Sequence, residues 1–167
     1  MEKAPLEKKA VLSAEEIRMI QTSWATAKKA VGYKGIAVLL FQKIFDKAPE
    51  TLKMFRFGAD PDFDVSKDLA TSPAFLKHGF AVVATVGAAV AGLDDLPSLV
   101  PTLTSLGYKH MTYNVKPDHY PVVGASFLET LRDGLGDDFT PDLEAAYTKM
   151  WMVVQKTMLA GADDDTK

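Results

Sequence analysis

No cysteine occurs in the 167 residues. Disulfide frameworks, thiol nucleophiles, Cys-ligated zinc and iron–sulfur clusters are excluded together. The alternation of apolar and polar residues that marks strands is missing, as are long heptads, so neither a sheet nor a coiled coil is expected. There is no Gly-x-Gly-x-x-Gly run and no glycine loop closed by Lys-Ser or Lys-Thr, so nothing is shaped to cradle phosphates. A zinc-hydrolase His-Glu-x-x-His is also lacking. Positive charge is in short supply: 19 Lys and Arg face 22 Asp and Glu, a net charge of −3. A nucleic-acid module is therefore not expected. Asp60-x-Asp62-x-Asp64 opens like a calcium loop, but Val65 stands where glycine is needed and Thr71 where glutamate is needed. Glu2 rules out N-myristoylation. Residues 1–10 lack the apolar stretch of a signal peptide, which makes a cytosolic protein the expectation.

What the chain does contain is helix punctuation. Hydrophobic residues make up 47% of a length that suits about one domain. Ser13 and Glu16 have capping-box spacing ahead of Ile17, Ile20 and Trp24. From Ile36 to Phe45 apolar residues recur at helical spacing. Pro49 opens a short helix reaching Met54, and residues 56–71 read as a polar loop with room for one helical turn. Ser72-Pro73 and Thr140-Pro141 are cap-plus-proline starts. The first should run to about Ala91 with Gly92 as its stop. Gly79 to Leu93 is almost wholly apolar, too short for a membrane span, and reads as a buried helix of a soluble domain. Leu99, Leu103 and Leu106 form one helical face leading to His110, and Pro117 starts a helix reaching Leu135. The expectation is an all-α domain of seven or eight helices over residues 12–160. An N-terminal extension, 1–11, precedes it and an acidic tail, 161–167, follows it.

Three histidines carry the remaining chemistry: His78, His110 and His119. Taken alone, His78 among Phe75, Phe80 and Val82 reads either as a hydrogen-bonded core imidazole or as a ligand. His110 has the same two readings. His119 reads as a polar residue near a helix start.

The set as a whole resembles the globin family, from about Leu12 to Leu159. Leu12-Ser13 and Trp24 are similar to the first globin helix, and Pro49 with Phe55 to the proline and haem-stacking phenylalanine of the third. Phe75-Leu76-Lys77-His78 matches the distal-histidine segment, and Leu106-x-x-x-His110 the proximal one. Val115, Pro117 and Val122-Val123-Gly124 match the start of the next helix. Ala37 and Gly79 fall where globins place small residues at a close helix crossing. The two histidine phrases look most like those of neuroglobins and related intracellular invertebrate globins.

The resemblance implies a three-over-three helical sandwich around haem b. It implies His110 as proximal iron ligand and His78 as distal residue, either donating to a bound gas or acting as sixth ligand. Phe41, Phe55 and Val82 would line the distal pocket, and Leu106 and Val115 the proximal face. The implied function is reversible O₂ binding for storage, transport or facilitated diffusion, with CO and NO as further ligands. The alternative is a bis-histidyl globin with a redox, NO-scavenging, nitrite-reducing or gas-sensing role, served by an external reductase. Catalysis by the haem is left open, and the oligomeric state is not readable. One departure stands out. The basic residue that usually follows the distal histidine by one turn is Ala81 here, which leaves Lys77, Arg56 and Lys109 as candidate propionate partners.

Overall fold

The computed structural model describes residues 12–163. The expected extension 1–11 and residues 164–167 of the expected tail lie outside them. The first helix, α1 (Ala14–Lys47), starts where the capping box places it. The Ser13 hydroxyl accepts from the Glu16 N–H and the Glu16 carboxylate accepts from the Ser13 N–H, both at 3.0 Å. Gly32 breaks α1 into two arms with φ 78° and ψ 162°. That conformation strains any residue with a Cβ, so glycine marks the break. The two apolar stretches read separately in the sequence are these two arms.

A 3-10 turn over Pro49–Met54 follows, then a second over Phe57–Ala59. The loop's single helical turn is α2 (Val65–Asp68). Asp60, Asp64 and Asp68 spend their carboxylates on backbone N–H groups of this same loop. Helix α3 (Pro73–Ala91) is capped by the Ser72 hydroxyl, which accepts from Phe75 N–H at 3.2 Å, and stops at Gly92. A short turn at Leu93–Asp95 leads to α4 (Leu96–Thr112), which runs two residues past His110. Helix α5 (His119–Leu135) begins two residues later than Pro117, because Pro117 and Asp118 form the turn that feeds it. Helix α6 (Pro141–Ala162) has Thr140 as its cap and extends two residues into the stretch expected to be tail. Counting the arms of α1 separately, the described residues form seven α-helical segments.

Packing follows the small residues. Helix α1 packs on α3, α5 and α6. Where it crosses α3, a Cβ on Gly79 would lie 2.9 Å from the Ala37 Cβ, so this pair sets how near the two helices come. Helix α4 rests on α6 instead. There a Cβ on Gly107 would run into the Met158 carbonyl, and one on Gly161 into the Thr104 carbonyl. The helices therefore meet backbone to backbone.

The core divides in two as a result. One cluster joins α1, α3, α5 and α6 through Trp24, Phe41, Phe75, Phe127 and Tyr147, among others. A second, smaller cluster holds Leu103, Tyr120 and Met158, with Leu106 and Val115 packed against it. Helix α3 corrects one expectation. It is long and apolar enough to cross a membrane, but only 28% of its apolar window is buried. Half of its exposed residues are alanine, Ala81, Ala84 and Ala88 among them, and Phe80 is the one bulky apolar side chain left open. Small residues give an apolar composition without a bulky face to bury.

Tyr147 is fully buried, with its hydroxyl 2.7 Å from Ser23 Oγ and donating to the Ile20 carbonyl at 3.1 Å. Burial pushes its pKa up to about 12 from 10.0. The folded state thus holds this proton more tightly than the unfolded chain. Stability from this group is intact below pH 10 and falls as pH rises toward 12. Tyr147→Phe should cost about 1 kcal/mol at neutral pH and remove part of the alkaline loss, as read by denaturant titration from pH 8 to 11.5. Gly107→Ala should lower stability by about 1–3 kcal/mol through overpacking against α6, as read by thermal unfolding.

Candidate functional site

Helices α3 and α4 follow one another, yet they make at most marginal contact with each other. Each carries one histidine. Beside them a cleft of about 450 Å³ is lined by Thr85 of α3 and by Pro101, Thr102, Ser105, Leu106 and Lys109 of α4, and neither histidine is in its wall.

His110 sits two residues before the end of α4 and is half-buried. Its Nδ1 is 2.7 Å from the Leu106 carbonyl. A carbonyl oxygen only accepts, so Nδ1 carries a proton, and in the neutral ring Nε2 keeps its lone pair. No described residue occupies that lone pair. A neutral imidazole fixed in this tautomer by a backbone carbonyl is the arrangement that metal-binding histidines use. The corner after His110 is also tied down, because the His110 carbonyl accepts from Val115 N–H at 3.0 Å. Val115 and Leu106 both pack on the second core cluster, one on either side of His110 in sequence.

His78 stands on α3 against an aromatic wall. Its ring lies edge-on to Phe41 and Phe55, with centroids 5.7 and 5.2 Å away. Phe41 is buried and also meets Phe75 and Phe45. Phe55 stacks on Phe57 at 5.1 Å, which fixes its plane. Val82, one turn beyond His78, packs against the main core. His78 itself is exposed, and neither ring nitrogen has a partner among the described residues. A core imidazole held by hydrogen bonds is therefore not what this residue is. Desolvation by the surrounding rings lowers its pKa from 6.5, and the His110 imidazole lowers it further. His78 thus feels the His110 imidazole, and it is neutral at neutral pH.

The remaining sequence candidates separate clearly. His119 lies at the start of α5, where its Nδ1 accepts from the Lys116 N–H at 2.9 Å. That is a helix-start role, as expected. Arg56, Lys77 and Lys109 are all exposed, and Lys109 alone of the three lines the cleft. Sequence reasoning passed over Phe57, whose stacking positions Phe55, and the hydroxyls of Thr85, Thr102 and Ser105 in the cleft wall. The spacing of Thr102, Ser105 and Lys109 along one face of α4 is the signal that marks the last group. No cluster of three or more metal-binding side chains occurs among the described residues.

Three comparisons bear on the arrangement. The model of the family described as Globin matches residues 38–158. The chain is similar to the neuroglobin of Tetraodon nigroviridis, 36% identical over 150 residues, covering 90% of this chain and 92% of that protein. It is 33% identical to the neuroglobin of Dissostichus mawsoni with the same coverage. In fold it resembles the crystal structure of a hexacoordinated heme protein from an anhydrobiotic tardigrade at pH 4. The TM-score is 0.81 at 18% identity, over 92% of this chain and 96% of that one.

A direct check of the site's electrostatics is the proton NMR titration of His78 in the haem-free protein. Its midpoint should fall below 6.5, and His110→Ala should move it upward, because one of the two causes of the shift is removed. A midpoint unaffected by that substitution would separate the two rings.

Proposed function

The chain belongs to the globin family, and on that premise we propose that it binds haem b and takes up O₂ reversibly, with His110 as proximal iron ligand and His78 as distal residue. The observation that carries this reading is the hydrogen bond from His110 Nδ1 to the Leu106 carbonyl. It orients the His110 ring and leaves Nε2 as that ring's free ligand atom.

The other residues suit a flat, mostly apolar group. The core is divided into two clusters with the histidine-bearing helices held apart, and one wall of the gap is aromatic. When bound, haem supplies an iron centre that takes a small gas molecule. The chain supplies the surroundings. Phe41, Phe55 and Val82 exclude water on the α3 side. Leu106 and Val115 do so on the α4 side. His78 is neutral there and offers an N–H donor. A hydrogen bond to a partner carrying negative charge is worth about 1.5–3 kcal/mol, roughly ten- to over a hundredfold in affinity.

A second reading has His78 itself as the other axial ligand. It is supported by the influence of the His110 imidazole on His78 and by the lack of any partner for His78 among the described residues. External ligands would then wait for His78 to leave. If about 1% of molecules were open, apparent affinity would fall roughly a hundredfold. A redox, NO-scavenging, nitrite-reducing or gas-sensing role with an external electron donor fits that state better than storage.

The test is the visible spectrum of the haem-loaded protein, oxidised, dithionite-reduced and CO-bound. A single broad visible band on reduction is expected for the O₂-binding reading, and two sharp bands for the second. In the second case His78→Leu should abolish the sharp bands. His110→Ala should weaken haem retention in either case. A chain that takes up no haem, or a His110→Ala variant with an unchanged spectrum, would refute the assignment.

A further inference from the structure

Charge is unevenly divided along the chain. Residues 17–45 hold five bases and no acid, and residues 133–144 hold five acids and no base. The fold sets these two stretches side by side. At the end of the first arm of α1, Val31 lies so near Gly134 that a Cβ on the glycine would meet it at 3.1 Å. Between that arm and the corner joining α5 to α6 runs a cleft of about 440 Å³. Arg18, Thr22 and Thr26 line it from α1 and Asp138 from the corner, with Leu135 and Leu143 as apolar parts.

The two stretches do not neutralise each other. One ion pair joins them, Lys43 to Asp133 at 2.7 Å, and Glu144 is taken by Arg132 at 2.9 Å. Arg18 and Asp138 line the same cleft and form no ion pair among the described residues. Lys29 follows Thr26 by three residues, so Arg18, Thr22, Thr26 and Lys29 share one face of the arm, and all four are exposed. Asp137, beside Asp138, is exposed as well. One wall of the cleft is therefore basic and the other acidic. A partner of one sign suits only half of it, since a polyanion would meet Asp137 and Asp138, and a polycation would meet Arg18 and Lys29. A body that fits both walls presents acid to the first and base to the second. This chain carries that pair itself. Turned about a two-fold axis, a second copy brings acid to Arg18 and base to Asp138, and each contact is made twice.

We propose that two copies of the chain pair through this face, the first arm of α1 of each set against the α5–α6 corner of the other. Arg18 and Lys29 meet the partner's Asp137 and Asp138, and the reverse contacts repeat on the other side of the axis. The side chains between the two bases on this face, Thr22 and Thr26, are short, which lets the arm approach its partner. Exposed ion pairs are individually weak and are screened by salt. The dimer is therefore reversible and loosens as ionic strength rises. None of this depends on what the chain binds between α3 and α4.

Sedimentation velocity of the full chain as purified, from micromolar to millimolar concentration and at low and high salt, tests the pairing. A dimer is expected at low salt, with its dissociation constant raised about tenfold at high salt. Two charge-reversed variants then locate the contact. One combines Arg18→Glu with Lys29→Glu, the other Asp137→Lys with Asp138→Lys. Each alone faces like charge with like and should stay monomeric where the unchanged chain dimerises. Mixed in equal amounts, they should form a dimer again, because each reversed wall now meets an opposite one. All four positions are exposed, so the variants should keep their helical circular dichroism. A variant that failed to fold would not be rescued by mixing. A chain that stays monomeric at millimolar concentration in low salt overturns the proposal. So does a dimer that both variants form as well as the unchanged chain does, or a mixture that remains monomeric.

Discussion

Everything about the site depends on where α4 lies, and two glycines decide that. Gly107 and Gly161 let the backbones of α4 and α6 touch. A helix held that closely by one neighbour is held away from another. Helix α4 therefore leaves α3, its neighbour in sequence, and the apolar interior splits into two clusters with a gap between them. A fold of this size would ordinarily close such a gap with side chains. Here the cleft wall holds Thr85, Thr102 and Ser105, whose side chains are short.

The gap has two chemically different walls. On the α3 side, Phe41, Phe55, Phe57 and Phe75 form a connected set of edge-on and stacked rings around His78. Phe41 and Phe55 cover one side of the His78 ring, and this desolvation lowers its pKa. On the α4 side, His110 is fixed by its own helix, since the carbonyl that orients it belongs to Leu106, one turn earlier. Orientation on this side needs no long-range partner. It survives small motions of α4 as a body, which would suit the proposed role of His110 as an iron ligand. His78 has no such tether. The two proposed readings differ in whether His78 would donate to a bound gas or compete with it.

Much of the fold was legible because it is written in local chemistry. Ser13 with Glu16, Ser72-Pro73 and Thr140-Pro141 are caps whose geometry needs only neighbouring residues, and each begins a helix where expected. Pro117 misled by two residues, since proline suits a turn before a helix as well as its first position. The burial of α3 was misjudged because composition does not say which face of an alanine-rich helix finds a partner. At the site, Ala37 and Gly79 meet at the helix crossing, as the resemblance implied, and the structure sets Phe41 and Phe55 against His78. The stacking of Phe57 and the free hydroxyls of Thr102 and Ser105 were not legible. They depend on how a loop folds back and on which rotamers the cleft leaves open.

The claim on which most rests is that His110, through Nε2, is the iron ligand. Resonance Raman spectroscopy of the reduced, haem-loaded protein in a His78→Leu background tests it most directly, because that background leaves a single internal imidazole. An iron–histidine stretching band is expected that shifts on ¹⁵N-histidine labelling, disappears in His110→Gly and returns when free imidazole is added. A labelled band persisting at full strength in His110→Gly would contradict it, and would place the iron on another histidine.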